Sequence, residues 1–229
     1  MTRRPRKARA ARRTTEDLRT ALLDAARTIF SERGFAATST RDVAQRAGAA
    51  EHLIFKHFRS KAGLFSAAVF EPLSAMLDDN LEKMDAAARR VSTVEGGLRA
   101  FVDTLHPLLN QNRRLLVAYL NAVTFHAEEF DATSGTAILS LVHYLRKLEK
   151  VRAHVPPNKD IVVKDPMVET RMSFALVFAL AMFQDVLFEG REQDEVRERD
   201  SVVKLLSDGL RGGLVTRPRR AGSAGRRKR

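Results

Sequence analysis

The segment TSTRDVAQRAGAAEHLIFKHFRSKAGLF, residues 38–65, carries hydrogen-bond donors at helical spacing. His52 and Lys56 lie four residues apart, with the apolar Ile54 between them. On an α-helix of about 3.6 residues per turn, an inward Ile54 puts His52 and Lys56 on the opposite side, one turn apart. Leu53 and Phe55 flank this pair. An imidazole and an ammonium in this arrangement can recognise a partner through hydrogen bonds.

Catalytic patterns are missing from the sequence. It contains no Cys, no Gly-x-Ser-x-Gly elbow, no phosphate-binding loop and no His-Glu-x-x-His motif. The run HAEEFD at 126–131 offers possible metal ligands without the spacing of a metal site, and it is more typical of a helix end. We therefore expect a protein that is not an enzyme and that uses no metal or cofactor.

Three helices are predicted to position the donor pair. The first ends at Gly34 and has apolar residues at three- and four-residue steps, namely Leu18, Leu22, Ala25, Ala26 and Ile29. A second helix begins after a cap at Thr38 or Ser39 and stops at Gly48, and the third spans roughly 50–58. Ser60 is predicted to cap a fourth helix.

The junction of the second and third helices has the residues of a tight helix-turn-helix. The small Ala44 allows close approach, Gly48 permits a positive φ, and Ile54 fills the junction. Any corner between two helices can share these three features. Taken alone, these features do not decide whether the protein binds DNA.

The longer pattern is more specific. Residues 22–65, with LLDAARTIFSERGFAATSTRDVAQRAG and the exit FKHFRSKAGLF, resemble the N-terminal domain of the TetR family of bacterial transcriptional regulators. The resemblance covers the first third of the chain. It implies a homodimer whose third helices enter the major groove of a palindromic operator, and a C-terminal domain that binds a small ligand and dimerises. Repression is the family's usual mode.

The third helix departs from the family pattern. In the run AAEHLIF after Gly48, the family's usual hydroxyl-bearing residues are replaced by Ala50, Leu53 and Phe55. The resemblance makes His52 and Lys56 the groove-facing pair. Leu53 and Phe55 either contact thymine methyl groups or pack against the protein, and both alternatives stay open.

Three further side chains are candidates for contact with the DNA backbone. Thr40 and Arg41 begin the second helix, and Lys61 follows the Ser60 cap. Their alternative interpretation is a solvated helix end.

The net charge of +12 is concentrated at the chain ends. Residues 1–13 and 217–229 each hold seven Lys or Arg and no acid, which leaves 26 basic residues against 28 acidic ones elsewhere. Both tails are predicted to be disordered. They either contact a polyanion or only keep the protein soluble, and a non-specific architectural DNA-binding protein acting through its tails is the alternative function.

The rest of the sequence is predicted to be helical, which makes the fold all-α. Apolar stripes there are usual for a core, and the resemblance adds a pocket for a small, largely apolar ligand. The candidate lining residues are Phe101, Leu105, Tyr119, His126, His143 and Tyr144. Each of the four polar ones can equally be a satisfied core residue.

The run MSFALVFALAMFQDVLFEG is apolar nearly all round and must be covered on two sides. The resemblance assigns segments 166–189 and 193–214 to a four-helix dimer bundle. The interface candidates are Phe174, Phe178, Ala181, Phe188, Val202, Leu206 and Leu210. A doubly buried core helix in a monomer is the competing interpretation.

The predicted organisation has four parts. A basic arm at 1–13 precedes the helix-turn-helix domain at 14–66, which leads into the ligand-binding and dimerisation domain at 67–215 and a basic tail at 216–229. The basic N-terminus is not followed by the apolar core of a signal peptide, and no run of about 18 uncharged apolar residues appears. We therefore expect a cytoplasmic protein without membrane partners.

Overall fold

A computed structural model of the chain describes residues 14–131, 137–152, 165–188 and 194–212. Every regular element in these ranges is helical, which confirms the all-α prediction. A π-helical turn, Ser66–Phe70, joins α4 to α5. The predicted basic arm and tail lie outside the described residues. The helices are α1 Thr15–Arg33, α2 Thr40–Ala47, α3 His52–Phe58, α4 Lys61–Phe65, α5 Glu71–Ala88, α6 Val94–Gln111, α7 Arg113–Phe125, α8 Ala127–Asp131, α9 Ala137–Arg152, α10 Pro166–Leu187 and α11 Glu195–Gly212.

The predicted caps are present at the N-terminal helices. The Ser39 hydroxyl accepts from the Asp42 backbone N–H at 3.1 Å, so Ser39 is the cap of α2. The buried Thr38 instead donates to the Gly34 carbonyl at 2.8 Å. Ser60 caps α4 by accepting from the Gly63 backbone N–H at 2.9 Å. Since each cap satisfies a free N–H of a first turn, these short helices begin at defined residues.

Gly48 makes the tight turn between α2 and α3. Its φ of 64° and ψ of 41° are left-handed, a conformation that costs glycine little. Ala44 and Ile54 are almost fully buried on either side of this turn. The helix-turn-helix geometry predicted from these three residues is therefore confirmed.

The chain divides into two compact units. The first contains residues up to 82 together with 108–147, and the second contains 83–107 together with residues from 148 onwards. Helices α7 and α8 thus belong to the same unit as the helix-turn-helix. The predicted boundary between residues 66 and 67 divides the chain by function, into a DNA-binding domain and a ligand-binding and dimerisation domain. It stays a prediction.

An aromatic cluster forms the centre of the first unit. The Phe65 ring makes edge contacts with Phe30, Phe35 and Phe70 at centroid distances of 4.7, 5.2 and 5.0 Å, and lies 5.6 Å from Phe130 of α8. All five side chains are buried. The cluster therefore fastens α8 to α1, to the loop after α1 and to α4.

Helix α10 of the second unit is long and apolar enough to cross a membrane by length and composition, and it is the one such helix among the described residues. A core helix of a soluble protein passes the same test. Ion pairs secure its first turns, with Arg152 to Glu169 at 3.1 Å and Arg171 to Glu149 at 3.1 Å. Helix α10 also packs against α11.

His106 of α6 is fully buried in the second unit, and within the described residues neither ring nitrogen has a hydrogen-bond partner. Burial lowers the pKa of His106 below its ordinary value of 6.5; the nearby Arg199 lowers it further and Glu195 partly offsets this. The neutral imidazole is therefore the favoured form in the folded protein.

Acidification should destabilise the protein through His106. Because the folded-state pKa lies below the unfolded one, the unfolded chain binds the proton first as pH falls through 6.5. The free energy of unfolding should be independent of this group above that pH and decrease below it, until the folded-state pKa is passed. Denaturant titrations between about pH 7.5 and about pH 5 measure this slope.

The His106→Leu variant should flatten that dependence. The exposed His143 supplies the control, because His143→Gln also removes a histidine but not a buried one. Equal slopes for wild type and His106→Leu would show that His106 does not govern the acid sensitivity.

Candidate nucleic-acid interface

Helix α3 presents one polar face and one buried face. Ile54 and Phe58 are buried, whereas His52 and Lys56 are exposed. Between them, Phe55 keeps 49% of its surface exposed, so the chain itself does not cover this ring. The structure thus places the predicted donor pair and an uncovered aromatic ring on a surface that is open to a partner.

The start of α3 lacks the side-chain cap that the family's usual hydroxyl-bearing residue supplies. The helix begins at His52, and its cap residue Glu51 makes no capping hydrogen bond. Instead, the Thr40 hydroxyl of α2 donates to the Glu51 carboxylate at 2.5 Å. Sequence reasoning missed Glu51, because the sequence does not show that this carboxylate lies against the Thr40 hydroxyl.

This contact changes what Thr40 can offer to DNA. Its hydroxyl is already engaged, and the neighbouring carboxylate repels phosphate. Arg41, in the same turn of α2, is exposed. Arg41 is therefore better placed than Thr40 to donate hydrogen bonds to the DNA backbone. On α3, the predicted contact residue Leu53 is only half-exposed.

Lys61 is turned towards its own protein. Its ammonium lies 4.4 Å from the centroid of the Phe35 ring and donates to the Ala36 carbonyl at 3.4 Å. Burial lowers the pKa of Lys61, and the charge of Glu129 partly offsets this. An ammonium has three N–H donors, so this arrangement leaves donors for a phosphate, and the backbone contact of Lys61 stays a prediction.

The predicted ligand-binding residues do not fall in one unit. Phe101 and Leu105 belong to the second unit, whereas Tyr119, His126, His143 and Tyr144 belong to the first. The buried Tyr144 hydroxyl donates to Asn80 Oδ1 at 3.1 Å, as expected of a satisfied core residue.

The other three polar candidates have different surroundings. Tyr119 is buried, and desolvation raises its pKa to about 12. His143 is exposed, so burial gives no support to a ligand-binding role for it. His126, half-buried, has its Nδ1 3.3 Å from Glu129 Oε1.

The side chains of His126, Glu128 and Glu129 bring three potential metal ligands within 4.8 Å of one another. Both carboxylates are exposed, and exposed acidic groups are common without a bound ion. We assign no metal to these residues.

The predicted dimer-interface residues differ in how far their own chain covers them, and their role in a dimer stays a prediction. Phe174, Ala181 and Val202 are buried, and the remaining four are half-buried: Phe178, Phe188, Leu206 and Leu210. A different apolar set on the same two helices stays exposed, including Met172, Phe183, Val186 and Leu205. Because α10 is apolar nearly all round, the sequence could not distinguish its two faces.

Residues 22–68 match the family model described as bacterial regulatory proteins, tetR family. This range contains the whole helix-turn-helix and its exit into α4. The DNA-binding part of the chain thus matches the TetR family.

Curated proteins with similar sequences are named as transcriptional regulators. The chain is 33% identical over 105 residues to the HTH-type transcriptional repressor KstR2 of Rhodococcus jostii, an alignment that covers 46% of this chain and 50% of that protein. The chain thus spans about half the length of this curated relative. The expectation that the protein is not an enzyme agrees with the printed names of these relatives, which are those of transcriptional regulators.

Solved structures share the fold over most of the chain. A TetR-family regulator from Mesorhizobium loti has a TM-score of 0.63 at 17% identity, covering 85% of this chain and 97% of that one. The regulator FadR from Bacillus subtilis, solved in complex with stearoyl-CoA, has a TM-score of 0.55 at 18% identity, covering 83% and 98%. At these identities the similarity shows the fold.

Proposed function

We propose that this protein is a DNA-binding transcriptional repressor that acts in the cytoplasm as a homodimer on a palindromic operator. The observation that carries the proposal is the exposed face of α3, with His52, Phe55 and Lys56. In a TetR-type domain this helix is the one that enters the major groove. Histidine and lysine donate to purine acceptors there, and an uncovered phenyl ring suits the thymine methyl group.

The proposed dimer uses the exposed apolar stripe of α10. Phe183 and Val186 follow Met172 by about three and about four turns, so the three side chains share one face. They are 64%, 55% and 74% exposed in the order Met172, Phe183, Val186. A second copy of the chain is the occupant we propose, because a palindrome offers two equivalent half-sites and one short helix reads too few bases alone.

The Phe183→Glu variant should weaken this dimer. A charge placed in an apolar interface loses its hydration without gaining a partner, so we expect the dimer dissociation constant to rise by about tenfold or more. Sedimentation velocity across a concentration series measures this constant.

Phe125→Glu is the matched control. Phe125, at the end of α7 in the other unit, is 68% exposed, and it undergoes the same substitution. If both variants dimerise like the wild type, the stripe on α10 is not the interface.

The proposed effector is a small, largely apolar ligand that releases the repressor from DNA. Among the candidate residues, Leu105, Tyr119 and Tyr144 are buried, Phe101 is half-buried, and none of the four carries a charge. The similar FadR from Bacillus subtilis was solved in complex with stearoyl-CoA, which joins an apolar acyl chain to a charged CoA group, and only the acyl chain supports this proposal. Such a ligand must bind the released conformation more tightly than the DNA-bound one, by about 1.4 kcal/mol for each tenfold loss of operator affinity.

One experiment separates this function from non-specific binding through the basic tails. Duplexes retained by the protein from a random pool are sequenced, and an enriched duplex is footprinted. A repressor should enrich a palindrome whose half-sites lie about one helical turn apart and should protect both. If no sequence is enriched and protection is uniform, the protein is an architectural binder instead.

A further inference from the structure

Arg59, the residue at which α3 ends, has an unusual backbone conformation. With a φ of 67° and a ψ of −39°, it is the one residue other than glycine that has a positive φ in the part of the chain that the structure describes. The Ser60 N–H donates to the Phe58 carbonyl at 2.8 Å, which closes a γ-turn around Arg59. A γ-turn with positive φ is rare and strained for a residue that has a Cβ. Glycine would close the same turn with less strain.

The contacts around Arg59 impose this turn on the backbone. Ser60 caps α4 by accepting from the Gly63 N–H at 2.9 Å, and the buried Phe58 fixes the end of α3. The two helices approach so closely here that a Cβ at Gly63 would clash with the Phe58 carbonyl oxygen. The backbone must therefore turn at Arg59, whatever side chain stands there.

The side chain of Arg59 gains nothing from its own chain that would offset this strain. It is exposed, and it makes no hydrogen bond or ion pair with any residue that the structure describes. Arg33 at the end of α1, by contrast, lies 3.5 Å from the Asp42 carboxylate. Strained residues are found where the strain serves a function. An exposed guanidinium without a partner is suited to bind an anion.

The position of Arg59 favours the DNA backbone over the bases. Helix α3 has seven residues and spans about 10 Å, so a residue just beyond its end is near the border of a major groove about 12 Å wide. Compared with a helical φ of about −63°, the Cβ of Arg59 is rotated by about 130° around the N–Cα bond. This rotation takes the side chain out of the row that His52 and Lys56 form. Phosphates border the groove, and arginine binds them through two parallel hydrogen bonds.

We propose that Arg59 binds a phosphate of the DNA backbone beside the groove that α3 enters, and that the γ-turn directs its side chain there. The proposal rests on the DNA-binding function proposed above. It explains why an arginine stands where glycine would be less strained, since the strain is offset only when DNA is bound. Arg59 then fixes the position of α3 on the duplex without reading a base.

The Arg59→Gly variant should change stability and DNA binding in opposite directions. Glycine relieves the strain, so the midpoint of thermal unfolding should rise by about 2–4 °C. Loss of a phosphate contact should weaken binding to the enriched duplex and to a shuffled duplex alike, by about threefold to tenfold, and should reduce the salt dependence of binding by about one unit. Arg59→Lys keeps both the charge and the strain, and should keep the wild-type midpoint and salt dependence.

Arg90→Gly is the matched control. Arg90 is also exposed and follows α5 in the second unit, but its φ is not positive. The same substitution there should not raise the midpoint and should change the salt dependence less. The proposal is overturned if Arg59→Gly fails to raise the midpoint, if it keeps the wild-type salt dependence, or if Arg90→Gly lowers that dependence equally. A wild-type protein that enriches no duplex would instead refute the proposed function, so the two failures are distinguishable.

Discussion

Phe65→Ala should lower the free energy of unfolding by about 3–5 kcal/mol. The Phe65 ring is fully buried and touches four other rings, those of Phe30, Phe35, Phe70 and Phe130. Truncation removes the transfer free energy of the ring and leaves a cavity that these neighbours, fixed on different helices, cannot fill. Native domains are stable by only about 5–15 kcal/mol, so the loss is a large share of the total.

Phe55→Ala provides the contrast for this prediction. It makes the same change on a side chain that is 49% exposed, and it should cost less than about 1 kcal/mol. Guanidinium chloride titrations of both variants, with the slope of unfolding free energy against denaturant checked for constancy, measure the difference. Similar losses at the two positions would mean that the aromatic cluster is not the centre of the first unit.

The local features of the DNA-binding region could be predicted from the sequence because each depends on a few adjacent residues. Ser60 caps α4 through a backbone N–H three residues away, and Gly48 alone accommodates the left-handed turn. The periodicity of α3 likewise predicts that Ile54 is buried opposite His52 and Lys56. Local sequence dictates all three features.

Contacts between distant segments could not be predicted in this way. Nothing in the run HAEEFD indicates that His126 lies against Phe35, or that Phe130 joins an aromatic cluster with the same ring. Both depend on how α8 packs against α4, which is a tertiary arrangement. The sequence predicted Lys61 either as a contact with the DNA backbone or as part of a solvated helix end, and did not indicate its contacts with Ala36 and Phe35.

Helix α10 illustrates a second limit. A periodic stripe identifies the buried side of a helix only where the opposite side is polar. Phe174 and Phe183 are both apolar, yet the first is buried in its own chain and the second is 55% exposed. The composition predicted that α10 is covered on two sides, but only the folded structure shows which side its own chain covers.

His52→Ala and Lys56→Ala should each weaken binding to the enriched duplex by about tenfold to a hundredfold, equivalent to the roughly 1–3 kcal/mol of a good base contact. Both side chains are exposed on the face of α3 opposite the buried Ile54, so truncation leaves the fold intact. Binding to a shuffled duplex of equal length should change much less, because contacts with phosphate, not base edges, supply non-specific affinity.

Arg41→Ala is the control that separates reading bases from holding the backbone. Arg41 is exposed on α2, and as a phosphate contact its loss should weaken both duplexes by a similar factor and reduce the salt dependence of binding by about one unit. Fluorescence anisotropy with both duplexes at several salt concentrations measures all three variants. If His52→Ala and Lys56→Ala behave like Arg41→Ala, with equal losses on both duplexes, the α3 pair contacts phosphate. Base recognition on α3 would then rest on Phe55, which is 49% exposed beside this pair and whose ring can pack against a thymine methyl group.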